Sequence, residues 1–220
     1  MAKIFGNRNR LYEPVWLVQL IMLVAIVLQL LLPDRYIFGS RFILIAVEVL
    51  LLAALSFTTP KEEVFKSLSR RINVFLLIIV AGLVNGYALI VVLQHLLQTG
   101  HVNDGRELIL TAVNIYLTNI IIFALWYWEM DGGGPGERRF APKHEKDFLF
   151  PQNQHEDYKH PHWQPTLTDY LYVSSTNAMA FSPTDTMPLS RRAKLLMLGQ
   201  ATLSLVSVAL VAARAVNILH

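Results

Sequence analysis

Five apolar runs, each flanked by charge, decide what this chain can fold into. They occupy residues 14–32, 41–57, 72–98, 107–129 and 193–219. A helix needs about 20 residues to cross ~30 Å of hydrocarbon, with about 17 as the short limit. The first, third, fourth and fifth runs meet that length, and the second sits at the limit. Hydrophobic residues make up 54% of the 220 and charged residues only 16%, a balance that soluble domains with runs of this length do not reach. An all-α integral membrane protein with five transmembrane helices is expected. The first run is too long for the apolar core of a secretory signal peptide, and no small-residue cleavage motif follows it.

Cations set the expected orientation. On alternate sides of the runs, one side collects Lys3, Arg8 and Arg10, then Lys61, Lys66, Arg70 and Arg71, then the group from Arg138 to Lys194; the other has Arg35, Arg41 and Arg106. The positive-inside rule places the N-terminus and the long loop in the cytoplasm and the C-terminus outside. The net charge of +3 is thus explained by headgroups and insertion, and no nucleic-acid partner is expected. The chain has no cysteine, which excludes disulfide and thiolate chemistry.

The last fifty residues depart from simple spans. Residues 169–190 read DYLYVSSTNAMAFSPTDTMPLS, a half-helix over 169–181 followed by a Pro-containing descent over 182–190 and a final helix over 191–220. Non-helical backbone survives at membrane depth only where protein or a water-filled cavity covers it. A re-entrant, pore-type half-helix between the last two spans is therefore expected. Residues 101–220 form this unit of helix, loop (130–168), half-helix, descent and helix, while residues 1–100 form a three-helix part. Trp126, Tyr127 and Trp128 read as an aromatic belt at the headgroups, and residues 132–136, GGGPG, stop the fourth helix. Only one half of the chain contains a break, so no inverted-repeat transporter is expected.

Thr176 and Asn177 on the half-helix, with Ser182, Pro183, Thr184 and Asp185 after it, are candidates for lining a constriction. Hydroxyls, carbonyls and one carboxylate there favour a partly hydrated cation; a turn with Asp185 or Ser190 as a helix cap accounts for the same residues. Gln200, Ser204, Ser207 and Arg214 share one face of the last helix, which either lines a water path or bonds a neighbouring helix. Thr111, Asn114 and Thr118, with Asn119 beside them, form a facing stripe on the fourth helix. Glu48 is a deep acid in the shortest run, with Asn85 its expected polar neighbour. His144, His155, His160 and His162 lie in the long loop, but His160-Pro161-His162 cannot present ligands one helical turn apart. No phosphate loop or nucleophile elbow is present. Neither catalytic residues, nor a metal, nor a cofactor is expected.

WYWEMDGGGP (126–135), DFLFPQ (147–152), DYLYVSSTNAMAFSPTDTMPLSRRAKL (169–195) and VALVAARAVNIL (208–219) together resemble a family of bacterial, actinobacterial-type multi-pass membrane proteins of unknown function. That resemblance implies a bacterial inner membrane and no particular activity. Residues 107–220 also resemble, more weakly, the pore module of tetrameric cation channels: outer helix, turret, pore helix, filter and inner helix. Asp185 and Pro188 fall just after the filter position. The filter is degenerate, because Ala180-Phe181-Ser182-Pro183-Thr184-Asp185 stands where Thr-Val-Gly-Tyr-Gly-Asp would be. Without those glycines, and with Pro183 fixing its own φ, a ladder of backbone carbonyls cannot form. The resemblance implies a homo-oligomer, most naturally a tetramer, passing inorganic cations through a bilayer without potassium selectivity. The alternative is a non-conducting membrane scaffold or partner subunit. No row of arginines crosses a span, which excludes an Arg-rich voltage sensor.

Overall fold

A computed structural model describes residues 15–37, 41–57, 68–98, 105–138, 146–153, 163–179 and 186–218. These residues contain α1 (Val15–Leu30), α2 (Arg41–Phe57), α3 (Leu68–Gln98), α4 (Gly105–Met130), α5 (Leu167–Ala178) and α6 (Arg191–Ile218). Among the described residues three stretches are long and apolar enough to cross a membrane: Arg71–Leu96, Arg106–Gly133 and Arg191–Ala213. This is a membrane protein built on α3, α4 and α6.

The expectation of five spans is met by three helices of full length. α1 has 16 residues and α2 has 17, about 24–26 Å at a rise of about 1.5 Å per residue. In α1 the cause is local. The apolar run continues to Leu32, but the N–H groups of Leu31 and Leu32 bond to Leu28 and Gln29 in a tightened last turn, and Pro33 supplies no N–H to continue it. The chain then makes a single turn at Asp34–Tyr36 that packs buried Tyr36 edge-on against His95.

α4 is the central helix, in contact with α1, α3, α5 and α6. Two apolar cores are stacked along it. One joins Val18, Met22, Val74, Leu77, Leu125, Tyr127 and Met197; the other joins Leu32, Val92, Leu108, Ile115 and Leu210. α3 and α6 therefore run antiparallel to α4. The start of α3, the end of α4 and the start of α6 share the first end, where Arg71, Arg138, Arg191 and Arg192 gather. Arg35 and Glu107 meet at the second end, 2.5 Å apart and more than one-third exposed, a pair worth little by itself. Leu83 and Ile90 on α3, Leu110 on α4, and Leu195, Leu198 and Leu205 on α6 are exposed, an apolar circumference suited to lipid.

After α4 the chain turns on Gly132, Gly133 and Gly134, all at positive φ. At Gly134 a Cβ would stand 3.0 Å from the Glu129 carbonyl oxygen, so the turn requires glycine. β1 (Phe148–Leu149) then pairs antiparallel with β2 (Met187–Pro188), Leu149 opposite Met187. Phe148 and Phe150 pack on Tyr170, with Phe148 also against Tyr127 and Phe150 against Trp163; both are core residues.

Directly opposed antiparallel residues have Cα separations of about 4.5–5.5 Å, inside the disulfide range. In this cysteine-free chain, Leu149→Cys with Met187→Cys should form an intramolecular disulfide on mild oxidation, read as loss of both free thiols. Leu149→Cys with Thr202→Cys should keep both; equal oxidation of the two pairs would refute the strand pairing.

Candidate functional site

α5 begins at a capping box. The carboxylate of Asp169 accepts from the Thr166 backbone N–H at 2.7 Å and from its hydroxyl at 2.8 Å. The helix starts two residues before the expected boundary for that reason. It ends at Ala178, three residues before the expected 181.

The N-terminal end of α5 is fastened to the turn after α4 through Asp131. Its Oδ1 accepts from the backbone N–H groups of Asp147 at 2.7 Å and Phe148 at 3.2 Å, and its Oδ2 accepts from the Tyr170 hydroxyl. Burial pushes that hydroxyl well above its ordinary pKa, against a smaller opposing pull from Arg138, so Tyr170 remains a donor. The Arg138 guanidinium lies 3.5 Å from Asp131 Oδ2 and 4.7 Å from the Tyr170 ring centroid. It also donates to the carbonyls of Asp131, Trp128 and Pro165, where a cation complements the negative end of α4. Asp147, fully buried, receives Arg192 in a fork at 2.6 and 2.7 Å and the Ser190 hydroxyl. One constellation thus ties the end of α4, both strands and the starts of α5 and α6.

Deeper in, the Gln200 amide joins α4, α5 and α6. Its Oε1 accepts from Tyr127 Oη at 2.6 Å and Asn177 Nδ2 at 2.8 Å. Its Nε2 donates to the Ser174 carbonyl at 2.9 Å and hydroxyl at 2.6 Å. Ser174 Oγ donates to the Ile120 carbonyl at 2.7 Å, Asn177 Nδ2 also donates to Met197 O at 2.9 Å, and Asn119 Nδ2 donates to Ser204 Oγ at 2.8 Å. Ile120 and Gln200 lie about 14–15 Å along their helices from the first end, at about 1.5 Å per residue. α5 therefore runs inward from that end, and the chain is back beside β1 at Met187.

Of the residues expected at a constriction, Asn177, Gln200 and Ser204 are brought together, in bonds within the chain. Gln200, Ser204 and Ser207 are fully or almost fully buried, on the side of α6 that faces its own bundle. Ser207 and Thr176 bond back to carbonyls of their own helices, at Leu203 and at Tyr172 and Val173. Leu195, Leu198, Gly199, Thr202 and Leu205 form the outward side of α6. Ser182, Pro183, Thr184 and Asp185, the loop histidines and the Arg214 side chain lie outside the described residues. On α4, Thr118 donates to Asn114 Oδ1 at 3.4 Å and Asn114 Nδ2 donates to Leu28 O at 2.8 Å. Asn85 is not the neighbour of Glu48: its Nδ2 donates to Ile115 O at 3.1 Å, and the amide beside Glu48 is Gln29.

Tyr127 and Trp128, expected at the headgroups, are fully buried. Asp131, Arg138 and Asp147 fall within the loop expected over 130–168 and Arg192 in the first turn of the last helix, where no spacing marks them; the Thr166-x-x-Asp169 capping spacing is the one legible signal nearby. Among the described residues no group of His, Asp and Glu is arranged to hold a metal. Comparison of the chain with protein-family models, with curated proteins and with solved structures finds no match in any of the three.

Gln200→Leu deletes four hydrogen bonds. At about 0.6 kcal/mol for each such bond in a membrane protein, it should cost about 2 kcal/mol in denaturant unfolding in micelles. Ser207→Ala, which removes a bond within one helix, should stay within about 0.5 kcal/mol of the native chain. Equal effects would contradict the central place of Gln200.

Proposed function

We propose that this chain is the protomer of a homo-oligomeric pathway for partly hydrated cations in a bacterial inner membrane, with its basic end in the cytoplasm. The observation that carries the reading is the course of α5. It enters between α4 and α6 from one end, stops near the level of Gln200, and the chain rejoins the same end at β2. This is the arrangement expected of a re-entrant half-helix in a pore module. The bonds from Gln200 and the Asp131 constellation supply the rigidity that a constriction needs.

One protomer has too few full-length helices to enclose a path, so copies must surround an axis, four being the natural number. The outward side of α6, with Thr202 among leucines, is available for that contact. Residues 180–185, carrying Ser182, Thr184 and Asp185, follow the inner end of α5 in sequence and are the proposed lining. Because the filter glycines are replaced, discrimination for potassium over sodium is not part of the proposal.

A non-conducting scaffold or partner subunit is the second reading. It is favoured by the inward bonding of Asn177, Gln200 and Ser204, which completes a bundle without needing an axis. Flux assays on purified protein in liposomes separate the two. Under potassium, sodium and chloride gradients, the pore reading expects cation flux from the native chain and altered selectivity or rate in Asp185→Asn. Silence from folded, oligomeric protein would overturn it in favour of the scaffold.

A further inference from the structure

Glu48 is fully buried in α2, and nothing in the proposed pathway uses it. Glu48 borders a small cavity lined by Met22 and Ile26 of α1, Leu77 and Ile78 of α3, Ile122 and Leu125 of α4, and two alanines. None of these residues from the three packed helices is titratable or charged. The polar partner is the amide of Gln29 on α1, itself buried. One atom of that amide lies 2.8 Å from Glu48 Oε1 and 3.2 Å from Oε2; the other lies 3.5 Å from the carbonyl oxygen of Ala81 on α3.

Each protonation state of Glu48 demands its own orientation of this amide. An ionised Glu48 accepts only, so the near amide atom must be nitrogen. The amide oxygen then faces the Ala81 carbonyl oxygen, acceptor against acceptor, and a buried negative charge is left without a counter-ion among the described residues, a situation costing several kcal/mol. A neutral acid reverses the assignment. Its O–H donates to Gln29 Oε1, and Gln29 Nε2 keeps its long contact of 3.5 Å to Ala81 O, with no heavy atom moved.

We propose that Glu48 is a proton-binding site, occupied at neutral pH, in which the carboxylic acid donates to Gln29 and so lets Gln29 bridge α1 to α3. Loss of the proton forces the amide to turn over and removes the link to Ala81. A protonated carboxyl in an apolar enclosure is also the form attacked by a lipid-soluble carbodiimide: the acid transfers its proton to a carbodiimide nitrogen and its carboxylate adds to the central carbon, giving an O-acylisourea with all atoms retained.

The test uses the full chain in lipid vesicles. Infrared difference spectra at neutral pH between the native chain and Glu48→Gln should show a carboxylic-acid carbonyl band present only in the native protein. Dicyclohexylcarbodiimide should modify the native chain at Glu48. Gln29→Leu, which leaves the acid in place without its acceptor, should shift that band to the frequency of an unbonded acid. A carboxylate band in place of the acid band would overturn the proposal; so would a native chain left unmodified at Glu48, or a band that Gln29→Leu leaves unmoved.

Discussion

Asp131 is a buried carboxylate that accepts from two backbone N–H groups and a tyrosine hydroxyl, beside one guanidinium. A carboxylate in such surroundings is tolerable only when its lone pairs are filled, and the groups around it come from three different parts of the chain. Asp147 and Phe148 bring β1, Tyr170 brings α5, and Arg138 brings the return of the glycine turn. Through Asp147 and Arg192 the same constraint reaches α6. The glycines make it possible, because a Cβ at Gly134 would collide with the end of α4.

A second constraint follows from the membrane. Between antiparallel spans there is no bulk water to satisfy a polar side chain, so polar groups pair with one another or with carbonyls. Gln200 answers this completely, with two bonds accepted and two donated. The pairing fixes both the depth and the rotation of α5, since only Ser174 and Asn177, one turn apart, reach the same amide. The outer circumference of α3 and α6 carries exposed leucines and isoleucine instead. The exposed surface suits lipid or further copies, and the inward surface holds α5.

Much of this was legible in the sequence where a pattern reports chemistry directly. The apolar runs locate α1, α2, α3, α4 and α6, and the spacing of Gln200, Ser204 and Ser207 correctly places them on one face. Spacing says which residues share a face and not what that face meets; these three turn inward to α4 and α5. Composition misled at Tyr127 and Trp128, because an aromatic triplet before a glycine turn looks the same whether it lies at headgroups or is roofed by a returning loop. The roof is DFLFPQ, short and containing a proline, whose Phe148 finds partners more than twenty residues away in sequence, at Tyr127 and Tyr170. Asn85 and Glu48 do not pair for a simpler reason: Gln29 of α1 stands beside Glu48 and Asn85 bonds to α4, and a depth along one helix does not say which neighbour fills the space.

The account centres on one claim, that α5 goes in and comes out at a single end of the bundle. The direct measurement is sidedness in sealed vesicles of the cysteine-free chain carrying Gln164→Cys, just before α5, or Leu189→Cys, just after β2. A membrane-impermeant thiol reagent should modify both positions from the same side and neither from the other. Modification from opposite sides would mean that the segment between them crosses the membrane, and the half-helix account would fail.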